Sequence, residues 1–305
     1  MKFMIEYPIH SDVEDGAWID PANMAAFARA AEDAGIDGIA LTDHPAPSQK
    51  WLDGGGHETF DPFAGLSFFA AVTSRLAVMT YLTVVPYRNP FLTAKSMASV
   101  DVLSGGRSIF VLGTGYLRSE FAALGVDFDE RNELFDEAAE VLQGIFTTPN
   151  FSYQGRHFKA VGQTLVPNVV QRPHPPLWIG GNAKVVLQRV ARWAQGWAPL
   201  GGSPTLARTA RTRNIADAEE LATMIARLGD MLEEQGRGRR DVDICVSNLE
   251  VEIGPGGAQE RLDEVAARAD MGVTWSALAL PRTSFPASLE ALSRFGDEVI
   301  TPLRR

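Results

Sequence analysis

The chain has 305 residues, 45% of them hydrophobic, with a net charge of −10 and a single cysteine. These values exclude an internal disulfide, and acids and bases scattered along the chain, with no basic face, argue against a nucleic-acid partner. No stretch reaches the roughly 18 uninterrupted apolar residues of a membrane span, and Glu6 interrupts the amino terminus before an apolar signal core develops, so a cytoplasmic protein without a membrane partner is expected.

Short β-branched runs alternate with longer stretches of helical periodicity, the pattern of repeated βα units. "KFMIEY" predicts the first strand, followed by Asp20-Pro21 as helix N-cap and first position, a helix over "ANMAAFARAAEDAG", and Gly35 beyond its end. "GIALTD" is the second strand. Helical "DPFAGLSFFAAVTS" leads to strand "LAVMTYLTVV", and "NPFLTAKSMASVDVLSGG" leads to "SIFVLGTG". A helix around "ERNELFDEAAEVLQGIF" is followed by "FSYQGRHFKAVGQTLVP", whose alternation and Gly155 turn read as a hairpin. "PLWIGG", "GWAPLG", "DICVSNLEVEI" and "VTWSALAL" supply four more strands, with helices at "KVVLQRVARWA", "ADAEELATMIARLGDMLEEQG", "QERLDEVAARADM" and "SLEALSRFGDEVI". The segment 201–215 is expected as a loop. Eight such units predict a (β/α)8 TIM barrel with an insertion after strand 4, a doubly wound sheet being the alternative. No linker-like tract divides the chain, which reads as one domain over 1–305 with a hairpin excursion near 150–170.

In a barrel of this kind functional groups sit at the carboxyl ends of the strands. The predicted ends present Glu6, Asp43-His44, Thr80-Tyr81-Leu82, Gly113-Thr114-Gly115 and Gly180-Gly181-Asn182. A metal hydrolase needs converging ligands, yet there are five histidines and no His-x-His or His-Glu-x-x-His, so no metal site is expected. No G-x-S-x-G elbow occurs, and Cys245 in mid-strand reads as a buried structural thiol. "GTG" at 113–115 lacks the third glycine of a dinucleotide fingerprint; it fits close approach of a flat ring or a plain tight turn. In "WIGGNAKVV", Asn182 is placed as N-cap of a helix starting near Ala183, giving either an anion site or an ordinary cap. Tyr7, Trp18, Trp51, Phe60 and Tyr116 suit the mouth or the core equally, and "WLDGGGHETFDP" suits a lid or a plain loop. Asp43 and His44 are adjacent, so an extended backbone sends them to opposite faces and gives them separate roles.

The sequence resembles the bacterial luciferase-like flavin and deazaflavin enzymes. The likeness rests on "LTDH", on "TSRLAVMTYLTVVPYRNPFLTAKSMASVDVLSGGRSIFVLGTGYLRSEFAALG" from 73 to 125, and on "RPHPPLWIGGNAKVVLQRVARWAQGW" from 172 to 197. "GTGYLRSEFAALG" with the following Arg131 is similar to the coenzyme F420-dependent oxidoreductase branch. The resemblance implies a (β/α)8 barrel holding an isoalloxazine-type ring in its mouth, with phosphate near Gly180, Gly181, Asn182 and Ala183 and close approach at Gly113, Thr114 and Gly115. It also implies a non-prolyl cis peptide at Tyr81-Leu82 or the bond before it, with Thr80, Tyr81 and Leu82 as the ring seat.

Two branches of this family differ in chemistry. One passes hydride between coenzyme F420 and a small organic substrate; the alternative uses FMNH2 and oxygen as a monooxygenase. The F420 branch is expected here, on the similarity of "GTGYLRSEFAALGVDFDER". Tyr116 stands where the branch's sugar-phosphate dehydrogenases carry a glutamate, so a sugar phosphate is not the expected substrate. The resemblance places His44 at the mouth, donating to the ring's polar edge or exchanging a proton with substrate. Asp43 then accepts hydrogen bonds from ring or backbone N–H groups or caps the loop, and Glu6 is a second acid/base candidate. A homodimer is the family expectation. From other classes, a flavin-binding barrel without turnover and a metal hydrolase stand as alternatives.

Overall fold

Along the strand segments buried residues alternate between two environments with the period of an extended chain, and a computed structural model of the protein closes them into a barrel. The structure describes residues 1–9, 16–202, 204–209, 211–252, 257–280 and 284–304. In chain order the strands are β1 (Lys2–Glu6), β2 (Gly38–Leu41), β3 (Ala77–Val84), β4 (Ser108–Gly113), the hairpin pair β5 (Phe151–Gln154) and β6 (Lys159–Gln163), then β7 (Leu177–Gly180), β8 (Gly196–Ala198), β9 (Asp243–Glu252) and β10 (Trp275–Ala279). Eight of them form a closed parallel barrel in the order β1-β10-β9-β8-β7-β4-β3-β2, a TIM barrel, while β5 and β6 pair antiparallel outside it. All eight predicted barrel strands are present.

Met4, Ala40, Met79, Val111, Trp178, Ala198, Cys245 and Ala277 fill the barrel interior. Trp178 and Trp275 meet edge to face there, 5.6 Å between ring centroids. Their neighbours Phe3, Ile5, Ile39, Leu41, Val78, Phe110 and Ile179 face outward into the larger core under the helices. This division positions the site, because a packed interior leaves only the carboxyl mouth for chemistry.

The surrounding helices are α1 (Pro21–Asp33), α2 (Gln49–Asp53), α3 (Pro62–Val72), α4 (Pro90–Ser104), α5 (Arg118–Ala123), α6 (Arg131–Thr147), α7 (Lys184–Arg192), α8 (Pro204–Thr209), α9 (Ala218–Glu234), α10 (Ala258–Asp270) and α11 (Phe285–Phe295). α1, α3 and α4 start alike: Asp20, Asp61 and Asn89 accept from first-turn N–H groups, and proline follows at the first position. α8 occupies part of the segment expected as a loop. Among the described residues no helix is long and apolar enough to cross a membrane.

Between β4 and β7 the chain inserts α5, α6 and the hairpin. Fully buried Asp101 of α4 anchors its return, accepting from the Ser108 hydroxyl at 2.7 Å, the Val170 and Gln171 amides at 2.6 and 3.1 Å, and the Gln171 side chain at 2.7 Å. Arg189 of α7 forks Asp136 of α6 at 2.7 and 2.8 Å, a bidentate pair that clamps the insertion to the barrel.

Candidate active site

β2 ends in "LTDHP", and its last residues do diverge. Asp43 is buried, and its carboxylate accepts from both terminal nitrogens of Arg88 at 2.6 and 2.8 Å and from the Val84 amide at 3.0 Å. Both oxygens are thus engaged within the protein, which makes Asp43 a brace between β2 and the end of β3 that accepts from a backbone N–H. His44 turns the other way. Its Nδ1 lies 3.1 Å from Oε2 of Glu120 on α5, and the same oxygen accepts from the Tyr87 hydroxyl at 2.8 Å. The Ala46 amide reaches Oε1 at 3.3 Å.

Glu120 is fully buried, and burial alone would raise its pKa. Hydrogen bonds from His44, Tyr87 and the Ala46 amide outweigh that and hold it below the ordinary carboxylate value. A carboxylate accepts only, so His44 carries its proton on Nδ1 in the neutral ring and presents Nε2 as an acceptor. Among the described residues no protein group meets Nε2. Around the imidazole stand Trp51 at 4.5 Å, His57 at 5.1 Å and Tyr116 at 6.0 Å between ring centroids. His57 Nε2 lies 3.0 Å from the Thr42 hydroxyl, and the Thr59 hydroxyl donates to the Thr42 carbonyl, so the glycine-rich segment is tied to the end of β2. Gly56 lets the Trp51 indole lie against the backbone: a Cβ there would stand 2.4 Å from the ring.

Glu6, at the carboxyl end of β1, is exposed, and its charge is felt by the Tyr81 and Tyr116 hydroxyls. Burial first, then the Glu120 and Glu6 charges, push the Tyr116 pKa up to about 12. Tyr7 and Trp18 belong to the core: they pack with Phe27, and the Tyr7 hydroxyl donates to the Trp18 carbonyl at 2.7 Å.

The end of β3 departs from a regular strand. The Tyr81-Leu82 peptide is cis, and the pairing with β4 shifts register between Tyr81 and Thr83. Tyr81 reaches across the barrel to donate to the Cys245 carbonyl at 3.3 Å. Thr80 is fully buried and donates to the Val111 carbonyl, so its side chain does not open to the mouth.

Leu82 explains two glycines. A Cβ at Gly113 would stand 2.3 Å from one Leu82 methyl and a Cβ at Gly180 2.5 Å from the other. Gly115 has φ +74°, and a Cβ there would meet Val84 at 2.6 Å and Phe121 at 2.9 Å. These three glycines make room for the protein's own side chains. Thr114, between them, is half-buried.

For Asn182 the expectation is corrected. It does not cap α7. Its side chain donates to the carbonyls of Leu200 and Arg213 at 2.6 and 2.7 Å and accepts from the Leu200 amide at 2.9 Å, fastening the loops after β7 and β8. Ala183 is the N-cap and offers no side-chain acceptor. Among the described residues the amides of Ala183, Lys184 and Val185 have no acceptor, so the amino end of α7 remains an open anion seat beside the Gly180-Gly181 turn. That seat, with the irregular end of β3 lying over a closed apolar interior, fits a planar ring carrying a phosphate.

Tyr87, Arg88 and Glu120 did not emerge from the sequence, because a glutamate inside "RSEFAALG" carries no motif of its own. The available signal was topological: β2, β3 and β4 are neighbours, so an acid just after β4 can face a histidine just after β2. One further group, Glu130, Glu133 and His157, has ligand spacing, but Arg156 pairs with both glutamates at 2.7 and 2.6 Å and makes it an ion-pair network on the insertion.

Known proteins share the sequence pattern and the fold of this chain. A stretch of 229 residues is 30% identical to the Mycobacterium tuberculosis protein Rv0940c, covering 69% of this chain and 72% of that one. The FMNH2-dependent dimethylsulfone monooxygenase of Pseudomonas putida is 34% identical over 136 residues, 44% of this chain and 37% of that protein. The F420-dependent glucose-6-phosphate dehydrogenase of Gordonia bronchialis is 28% identical over 191 residues, 60% and 54% of the two chains. In fold, the coenzyme F420-dependent tetrahydromethanopterin reductase of Methanopyrus kandleri superposes with a TM-score of 0.73 at 16% identity, covering 99% of both chains. Residues 1–261 match the luciferase-like monooxygenase family, whose members here use F420 or FMN, and the chain belongs to that family of enzymes.

Proposed function

We propose that the protein is an oxidoreductase using coenzyme F420 for hydride transfer to or from a small organic substrate at the barrel mouth. The observation that supports this reading is the His44-Glu120-Tyr87 chain, which leaves His44 Nε2 as an acceptor just after β2, together with the amides at the start of α7. F420, when bound, supplies the carbon that gives or takes the hydride. The protein's residues do the rest. Moving a hydride at a carbon bearing a hydroxyl or amine requires a proton to move at the heteroatom, and His44 Nε2 is the group placed to accept or return it. Glu120 holds the ring in that tautomer, and Trp51, His57 and Tyr116 build an aromatic wall that suits an apolar or ring-bearing substrate. The α7 amides hold phosphate, and Tyr81-Leu82 seat the ring.

The likeness to an FMNH2-dependent monooxygenase favours a second reading, in which the same seat holds reduced FMN. Absorbance titration of the purified protein with each cofactor separates them. Tighter binding of F420, with substrate-dependent bleaching or recovery of its visible band under anaerobic conditions, is expected; tighter binding of FMN overturns the F420 assignment. Binding without turnover of any substrate would leave a flavin-binding barrel.

A further inference from the structure

A cavity of about 310 Å³ opens at the end of the barrel opposite His44. Lys2, Ala77, Ser108 and Trp275, the first residues of β1, β3, β4 and β10, line it, and Asp37 and Pro176, just before β2 and β7, stand beside them. The amino-terminal face of such a barrel ordinarily serves stability, so a hollow there needs its own account. Its volume lies at the lower end of the range for small-molecule sites.

The walls divide by chemistry. Trp275, Ala77 and Ile109 belong to the cluster that fills the barrel interior, and Pro176 adds a second apolar surface. The remaining wall is cationic. Lys2 is exposed, and its ammonium lies 5.0 Å from the Trp275 ring centroid; among the described residues no carboxylate pairs with it. The Arg75 side chain is 68% exposed and reaches Glu32 and Asp33 only at 4.0 Å. Arg107 is held by neutral acceptors, the carbonyls of Ala70, Thr73, Leu76 and Ser104 and the Thr73 hydroxyl, at 2.6 to 3.2 Å. Burial holds its pKa below the ordinary value, and the Glu32 charge offsets this only in part.

The one carboxylate on the lining is already committed. Asp37 accepts from the Phe3 amide with one oxygen and from Arg304 with the other, each at 2.8 Å. Three cations therefore line the cavity beside one acid that Arg304 answers, on a chain whose net charge is −10. An anion between them relieves their mutual repulsion, and apolar walls strengthen the attraction. Arg107 contributes its field, since its N–H groups are engaged, whereas Lys2 and Arg75 can donate directly. An inorganic anion would leave the Trp275 wall untouched, and a neutral ring would leave the cations unanswered. A ligand with both parts satisfies the whole lining.

We propose that this amino-terminal cavity is a second binding site, separate from the barrel mouth, for a small carboxylate bearing an apolar ring. The carboxylate lies between Lys2 and Arg75 within the field of Arg107, and the ring lies against Trp275, Ala77 and Ile109. Such a ligand joins the first residues of β1, β3, β4 and β10, so its binding also stabilises the closed barrel.

Calorimetric titration of the full chain with benzoate tests this, with benzyl alcohol as the uncharged counterpart and inorganic phosphate as an anion without a ring. Lys2→Glu reverses a charge on an exposed side chain, and Ala77→Leu fills the cavity from its apolar side. Trp51→Ala alters the mouth, the other place for a ring-bearing probe. Wild type and Trp51→Ala should bind benzoate saturably, with Kd below about 1 mM and a raised melting temperature, at least about tenfold more tightly than benzyl alcohol or phosphate. Lys2→Glu and Ala77→Leu should each lose at least about tenfold, and about 0.5 M salt should weaken wild-type binding. Lys2→Glu keeps the test decisive if Ala77→Leu fails to fold. No saturable binding by wild type overturns the site, as does affinity unchanged in Lys2→Glu. Benzyl alcohol bound as tightly as benzoate overturns the carboxylate assignment. Binding lost in Trp51→Ala and kept in Lys2→Glu places the probe at the mouth and overturns the second site.

Discussion

A proton-transfer role for His44 requires that its ring be held in one tautomer, and Glu120 is the residue that does so. Replacing His44 with alanine removes the acceptor at the mouth but leaves Asp43, Arg88 and the barrel untouched. His44→Ala should therefore keep its fold and cofactor affinity and lose at least tenfold in turnover, about 1.4 kcal/mol of barrier, measured with a true substrate. Wild-type turnover would remove His44 from the chemistry. Glu120 has a second consequence. Its folded pKa lies below the ordinary value, so its contribution to stability is present above the unfolded pKa and is lost as pH falls through the depressed folded value. Melting temperatures followed from pH 7 to pH 3 should accordingly fall more steeply for wild type than for Glu120→Gln, which has no proton to take up. Parallel curves would mean that the buried carboxylate is not held in its charged form. The histidine was legible in the sequence because it closes a strand beside two prolines; its partner was not, because the pairing spans 76 positions and is made by the closure of the barrel.

Among the elements, the strands were legible and the shortest helices were not. Short apolar runs buried on both faces, and Asp20, Asp61 and Asn89 set before prolines, mark the strands and the starts of long helices locally. α2, α5 and α8 have only five or six residues each, too few to be stable alone, and exist through the contacts that surround them. Gly113 and Gly180 were visible, but their contact with Leu82 was not, because the irregular end of β3 brings that residue over them. This gives a sharp expectation: Gly180→Ala sets a methyl 2.5 Å from Leu82 Cδ2 and must displace that side chain. Overpacking of this kind costs about 1–3 kcal/mol, so a lowered melting temperature together with weakened cofactor binding is predicted. Full retention of both would show that Leu82 yields freely. A Cβ at Gly181, by contrast, meets only ordinary contacts, Val186 at 3.5 Å and Thr212 at 3.8 Å, but an adverse backbone, φ +112°, so a β-branched residue there costs stability as well as binding.

At the scale of the whole molecule, α3 and α4 lie side by side on the barrel surface. On α4 Leu92 and Leu103 are 67% and 63% exposed, and their spacing of eleven residues returns them to one side of the helix with the small Ser96 and Ser99 between them. On α3 the same periodicity brings Ala64, Phe68 and Ala71 to the surface. Two exposed leucines on one side of α4 suit the approach of another helix, and we propose that a second copy of the chain covers them in a homodimer. A twofold contact is self-complementary, so each leucine is buried twice, and burying a leucine contributes about 1.5–3 kcal/mol. Placing a charge at both positions must then cost far more in the assembly than in the isolated chain, where these side chains already meet water. Leu92→Asp/Leu103→Asp should sediment at the mass of one chain with an unchanged far-ultraviolet circular dichroism spectrum, while wild type sediments at twice that mass. A wild-type chain that sediments as a monomer at micromolar concentration, or a double variant that remains a dimer, would place the interface elsewhere or nowhere. Because α4 begins directly after Arg88, whose guanidinium braces Asp43, dimerisation at this face would also stiffen the base of the site that carries His44.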